Sequence, residues 1–223
     1  MEIGTRKSYF NMGRPKTYTY NEKYFEIPSI NNCYWVGFIA ADGCIYEQKR
    51  HSAILAIRLT TNDKLHLENF KKDIEFTGPI HDIVTKPSHF SHLKENYYHS
   101  QLRISSSKIC DDLKTNFNIT SYKSLSLQPP SLYNREEILS YIIGYIDGDG
   151  HVSQKFSITV TGTKEILEWI NCQFNMTGNL YKEQRSTNNT WYLNFNTKTL
   201  IAQECKNHIL KFNLPILDRK WNK

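Results

Sequence analysis

One ten-residue stretch of this chain is written twice. Tyr34-Trp35-Val36-Gly37-Phe38-Ile39-Ala40-Ala41-Asp42-Gly43 is echoed by Tyr141-Ile142-Ile143-Gly144-Tyr145-Ile146-Asp147-Gly148-Asp149-Gly150. The echo continues downstream in the same order. Ile57-Arg58-Leu59-Thr60 is answered by Ile158-Thr159-Val160-Thr161, and Thr77-Gly78-Pro79-Ile80 by Thr177-Gly178-Asn179-Leu180. Matches kept in order make a duplicated supersecondary unit, which restricts the fold to two like lobes. Each copy then carries a strand-like run, Gln101-Leu102-Arg103-Ile104 or Tyr192-Leu193-Asn194-Phe195, and a helical stretch closing on Phe117-Asn118-Ile119 or Phe212-Asn213-Leu214. The unit reads helix, hairpin, helix, hairpin, helix.

With 223 residues, the chain has room for one sizeable core or two small ones. Pro129-Pro130 cannot continue a helix. Residues 124–134 are therefore expected to link a first lobe at 31–123 to a second at 135–223. Residues 1–30 lie outside the repeat as a basic extension with Arg6, Lys7, Arg14, Lys16 and Lys23, either a solvated tail or an arm on a nucleic-acid backbone. Strand periodicity gives an α+β class. Leu55, Ile57 and Leu59 alternate with Ala56, Arg58 and Thr60, Phe156, Ile158 and Val160 with Ser157, Thr159 and Thr161, and Trp191, Leu193 and Phe195 with Tyr192, Asn194 and Asn196. A sheet with one greasy face needs helices behind it and leaves the other face free.

The net charge of +6 favours an anionic partner. The five cysteines form no CxxC pair and are odd in number, which fits a reducing compartment such as cytoplasm or an organellar matrix rather than secretion. The apolar run at Tyr34 to Ala41 stops at Asp42, far short of the roughly 20 residues of a membrane span. A soluble protein with no membrane partner is expected.

In each repeated helix small residues recur four apart, Gly37 with Ala41 and Gly144 with Gly148, so they share a face and let two backbones approach closely. Packed through those faces, the helices would bring Asp42 and Asp149 together at adjacent C-termini, just before Gly43 and Gly150, residues suited to the left-handed conformation that ends a helix. Two carboxylates at two negative helix ends are unfavourable by about 0.3–1 kcal/mol per dipole contact when exposed. A hard cation, Mg²⁺ or Mn²⁺, held by Asp42 and Asp149 with the carbonyls of Ala41 and Gly148, water and a substrate phosphate, would offset this. Either acid alone could merely close a local turn. Two at matching positions favour a shared role.

Both segments resemble the signature of the LAGLIDADG homing endonucleases, and the resemblance covers about residues 30 to 223. It implies a monomer with two pseudo-symmetric αββαββα lobes, signature helices at the lobe interface, and saddle-shaped antiparallel sheets in the DNA major groove. It implies that Asp42 and Asp149 are the metal-binding acids of a divalent-metal-dependent endodeoxyribonuclease, one acid beside each strand, giving a staggered double-strand break. The sixth motif position is Asp147 in one copy and Ala40 in the other. The family also has a lysine near each site after the last helix of the lobe. By position these are Lys123 and Lys220, supporting the attacking water or the transition-state charge unless they are ordinary solvated charges.

Base reading needs polar side chains on the free sheet faces. Parity selects Tyr46, Gln48, Arg50, Arg58, Gln101 and Arg103 in the first lobe. In the second it selects Ser153, Lys155, Thr159, Lys182, Gln184, Tyr192, Asn194 and Asn196. The two sets differ, so the expected target is asymmetric, and the first hairpin of the second lobe should be the shorter. His89 and His92 stand in a loop with no third ligand near and read as solvated. Two further functions are compatible with such a scaffold, an RNA-binding intron maturase and a catalytically silent DNA-binding regulator.

Overall fold

The computed structural model describes residues 17–48, 52–87, 95–155, 157–184, 188–195 and 199–222. The first lobe runs α1 (Ile30–Asp42), β1 (Gly43–Gln48), β2 (Ser52–Thr60), α2 (Lys64–Asp73), β3 (His81–Thr85), β4 (Tyr97–Ser105), α3 (Ser107–Phe117) and a short α4 (Lys123–Ser126). The second repeats it as α5 (Arg135–Asp149), β5 (Gly150–Val152), β6 (Ile158–Gly162), α6 (Lys164–Gln173), β7 (Asn179–Lys182), β8 (Trp191–Phe195), α7 (Thr199–Phe212) and a short α8 (Asp218–Trp221). Each lobe carries a four-stranded antiparallel sheet, ordered β1-β2-β4-β3 and β5-β6-β8-β7. This is the α+β, two-lobe architecture that the repeat predicts.

The alternating strands do what their period requires. Leu55, Ile57, Leu102 and Ile104 are fully buried and pack toward Leu67 and Phe70 of α2 and Ile109, Leu113 and Phe117 of α3. Ile158, Val160, Leu193 and Phe195 meet Ile166, Leu167 and Ile170 of α6 in the same way. Each such side chain contributes about 1.5–3 kcal/mol by leaving water. One contiguous core runs through both lobes.

It is contiguous because α1 and α5 pack against each other at its centre. Both helices are apolar on nearly every side, a pattern that only burial tolerates. Ser29 starts α1 with a capping box to Asn32, whose amide also donates to the carbonyls of Tyr24 and Ile27. Asn134 caps α5. The small-residue faces meet as expected. A Cβ on Gly37 would stand 1.9 Å from the Tyr141 carbonyl oxygen, and one on Gly144 would stand 1.9 Å from that of Tyr34. The pseudo-twofold is visible in that reciprocity.

Gly43 and Gly150 do not take the left-handed conformation that sequence suggests for them. Both are extended, at φ −75° and −108°, and lead directly into β1 and β5. Glycine is needed there for space, because a Cβ would fall 2.8 Å from the Ile39 carbonyl oxygen or 2.6 Å from that of Ile146. After the last long helix of each lobe the left-handed conformation falls instead to Asn118 and Asn213, at φ 59° and 51°, which asparagine tolerates.

Gly43 stands opposite Ile57 and Gly150 opposite Val160. Thr60 therefore corresponds to Thr163 rather than to Thr161. β1 has 6 residues and β5 has 3, so the second lobe's first hairpin is the shorter.

Residues 17–29 pack against the first lobe. Phe25 is fully buried, Asn21 N–H donates to the Ile74 carbonyl, and the Tyr20 hydroxyl donates to that of Ser105. The connection between lobes is also tied down. Leu127 and Leu132 are buried, Asn118 donates to the Pro129 carbonyl, and Thr163 donates to that of Leu127. The basic residues Arg6, Lys7, Arg14 and Lys16, and likewise His89, His92 and Phe156, lie outside the described residues.

Candidate catalytic centre and nucleic-acid interface

Asp42 and Asp149 end α1 and α5, where the two helices are still in contact. A Cβ on Gly148 would touch Ala41 Cβ at 2.2 Å and lie 3.4 Å from Asp42 N. Both acids are exposed at the tip of the helix pair. The protein around them nonetheless strips away enough water to push Asp42 up to about 6, with the charge of Asp149 as the second cause. Asp149 is raised by the same desolvation.

The lysines Lys123 and Lys220 are buried rather than solvated, each 7% exposed. Lys123 Nζ donates to the carbonyls of Ala40 and Ala41, at 2.8 and 2.6 Å, closing the end of α1. Lys220 Nζ donates to those of Ile146, Asp147, Gly148 and Gly150, closing the end of α5. Burial lowers both ammonium groups, and the nearby aspartates oppose that. Each lysine thus puts positive charge where the helix dipole is negative and where the orphan carbonyls of the last turn need donors.

The sequence gives no sign of how the lysines are held in place. Each lobe's C-terminal segment crosses to the other lobe. Leu127 accepts from Thr163 at 2.7 Å, and Arg219 forms a bidentate pair with Asp63 at 2.8 and 2.7 Å, which lowers the Asp63 carboxyl. In the second lobe Asp147, 1% exposed, accepts from Tyr34 Oη, Leu217 N–H and Trp221 Nε1. Burial pushes Asp147 up to about 6 against those three hydrogen bonds. Ala40 has no such group, so the helix ends are asymmetric: a buried carboxylate lies beside Lys220, and the matching position beside Lys123 carries only a methyl. A charged residue inside an otherwise apolar helix was the one available signal for Asp147. Nothing local marks Tyr34, Trp221 or the Asp63–Arg219 pair.

A cavity of about 120 Å³ opens beside Asp149 and Lys123, lined also by Ala41, Tyr145, Thr161 and Thr190. It is polar and roomy enough for water. Thr163 at its wall is committed to capping α6 and to Leu127. Among the described residues no group of three or more His, Cys, Asp or Glu gathers.

Strand register sorts the base-reading candidates. Tyr46, Arg58 and Arg103 are exposed on the free face of the first sheet. Gln101 shares that face but is buried, 7% exposed. In the second lobe Thr159, Tyr192 and Asn194 share the free face, half-buried, and Asn194 donates to Tyr181 Oη while Tyr192 donates to Glu183. Lys182 stands opposite Trp191, on the side of Leu180 and Leu193, so the parity placing it on the reading face is wrong by one residue. Tyr181 takes that position, and His151 and Thr161 join it. Ser153, Lys155 and Gln184 lie in turns beyond the strands, and the Ser153 hydroxyl accepts from Ser157 N–H. Gln48 is placed in β1 by its backbone alone, and Arg50 and Asn196 lie outside the described residues. Among the described residues no helix is long and apolar enough to cross a membrane.

No family model matches the sequence, and a comparison with curated proteins gives no match. Solved structures do match the fold. The homing endonuclease I-WcaI bound to its DNA recognition sequence superposes with a TM-score of 0.60 at 14% identity, covering 90% of this chain and 91% of that one. The LAGLIDADG meganuclease I-AabMI bound to uncleaved DNA gives 0.53 at 14% identity over 86% and 87%. The meganuclease I-SmaMI bound to uncleavable DNA gives 0.52 at 14% identity over 85% and 86%. At such identity the likeness is one of fold.

Proposed function

We propose that this chain, whose fold is that of the LAGLIDADG homing endonucleases, is itself a monomeric, site-specific endonuclease that cuts both strands of duplex DNA at an asymmetric target. The observation that carries the reading is the convergence of Asp42 and Asp149 at adjoining helix ends, between two sheets that each keep a polar face free. The similar proteins, solved with DNA, are in keeping with it.

The donors at the helix tips suit a hard divalent ion. Asp42, Asp149 and the carbonyls of Ala41 and Gly148 are all oxygen, and each carbonyl keeps a second lone pair beside its lysine. Asp42 is raised first by desolvation and then by the charge of Asp149, and a cation would offset both. Among the described residues too few protein ligands gather for a closed cage, which leaves positions for water and phosphate oxygens. Mg²⁺ or Mn²⁺ bound there would supply charge neutralisation and a nucleophilic water for phosphodiester hydrolysis.

The chain's own groups do the rest. Lys123 and Lys220 fix the last turns of α1 and α5, so that each carboxylate is held rigidly and with positive charge close behind it. The exposed carboxylates face the solvent side where a phosphate would approach. One acid per helix assigns one to each strand, and neighbouring strand phosphates across a minor groove give a staggered break.

A supercoiled plasmid carrying the DNA that flanks the native locus tests this. Linear product is expected with Mg²⁺, and none in EDTA or from the protein carrying both Asp42→Asn and Asp149→Asn. Duplex binding without cutting in any divalent metal would replace the nuclease by a DNA-binding regulator.

A further inference from the structure

At equivalent register positions the two free sheet faces carry different chemistry. Ile57 pairs with Leu102 and Val160 with Leu193, so Arg58 corresponds to Thr161 and Arg103 to Asn194. The first lobe therefore presents two exposed guanidinium groups where the second presents a hydroxyl and an amide. Among the described residues neither Arg58 nor Arg103 is ion-paired, while Asn194 is already oriented by contacts at 3.4 Å from Ser157 Oγ and to Tyr181 Oη. Of the described strand residues on the second lobe's free face, none is Arg or Lys.

The planar fork of arginine matches guanine O6 and N7 in the major groove. An asparagine amide matches adenine N6 and N7, and the methyl of threonine packs on that of thymine. Arg58 stands opposite Gln101, which makes Arg103 its diagonal neighbour. Diagonal neighbours lie about 7–8 Å apart, which spans roughly two base-pair steps of about 3.4 Å.

We propose that the target is compositionally polar: the half read by the first lobe contains guanines at two positions about two steps apart, and the half read by the second lobe is weighted to A·T. The inference rests on the duplex-DNA reading above and goes further by giving each lobe its base preference.

Selection of bound duplexes from a randomised library by the full chain, in Ca²⁺, tests it. Enriched sequences should divide into a G·C-bearing half and an A·T-weighted half. Arg58→Ala and Arg103→Ala, both at exposed positions, should each relax a single G·C position, losing roughly five- to 150-fold of preference there, with the other half unchanged. Enriched sequences whose halves do not differ, or arginine variants that relax the A·T half, would overturn the inference while leaving duplex recognition intact. If no duplex is enriched, the endonuclease reading falls and the base preference with it.

Discussion

Replacing Gly144 by alanine tests the helix contact that brings the acids together. The added Cβ would lie 1.9 Å from the Tyr34 carbonyl oxygen, 2.9 Å from its carbon and 3.0 Å from Phe38 N, where ordinary contacts begin at 3.4 Å. All three atoms are backbone, so no side chain can swing aside. The helices must separate by more than about 1 Å. Overpacking of this kind costs about 1–3 kcal/mol. A gap of that size also forfeits roughly a quarter to a half of the dispersion energy of the facing pairs. Against this, alanine is worth about 1 kcal/mol over glycine inside a helix. The net expectation is a destabilisation of about 2 kcal/mol, or a fall in Tm of roughly 4–8 °C for a chain of this size. Below its Tm the variant should cut about 100-fold more slowly, because a misplacement near 1 Å carries that penalty. Calorimetry and single-turnover plasmid cleavage read the two effects. A Gly144→Ala protein with the parent's Tm and cleavage rate would refute the close-packed interface and the placement of the acids that depends on it.

Lys220→Met should destabilise the fold by about 1–3 kcal/mol in denaturant titration, since it strips a charged donor from four carbonyls. In the plasmid assay it should give nicked circles in place of linear product. Lys123→Met, which removes a donor from two carbonyls, should cost less. The Mg²⁺ concentration for half-maximal cutting should rise as pH falls through about 6, because the raised Asp42 carboxyl takes up a proton that competes with the cation. An unchanged metal requirement on both sides of that pH would remove Asp42 from the metal site.

The lobe architecture was legible because it is written in local rules. The duplicated stretch sets the element order, the period of two in Leu55-Ala56-Ile57-Arg58-Leu59 sets the buried sheet face, and Gly37 and Gly144 set which helix faces meet. Legibility stops where an outcome depends on register or on residues distant in the chain. Lys182 lies on the side of Leu180 and Leu193, opposite to what residue parity predicts, because a one-residue slip inverts a strand. Gln101 has the right parity, but the side chains around it bury it. Gly43 and Gly150 are required for close approach to Ile39 and Ile146, a need that sequence does not distinguish from a left-handed turn. The link from Arg219 to Asp63 and the three donors on Asp147 join elements far apart in the chain, and no local pattern announces them.

The direct measurement is the carboxyl titration of Asp42 by carbon-13 NMR, in the parent and in Asp149→Asn. Two acids at one gap require the Asp42 midpoint, near 6 in the parent, to drop in the variant as one repelling charge disappears, and to drop further when Mg²⁺ is added. An Asp42 midpoint indifferent both to the charge at position 149 and to Mg²⁺ would mean that the acids do not share a site.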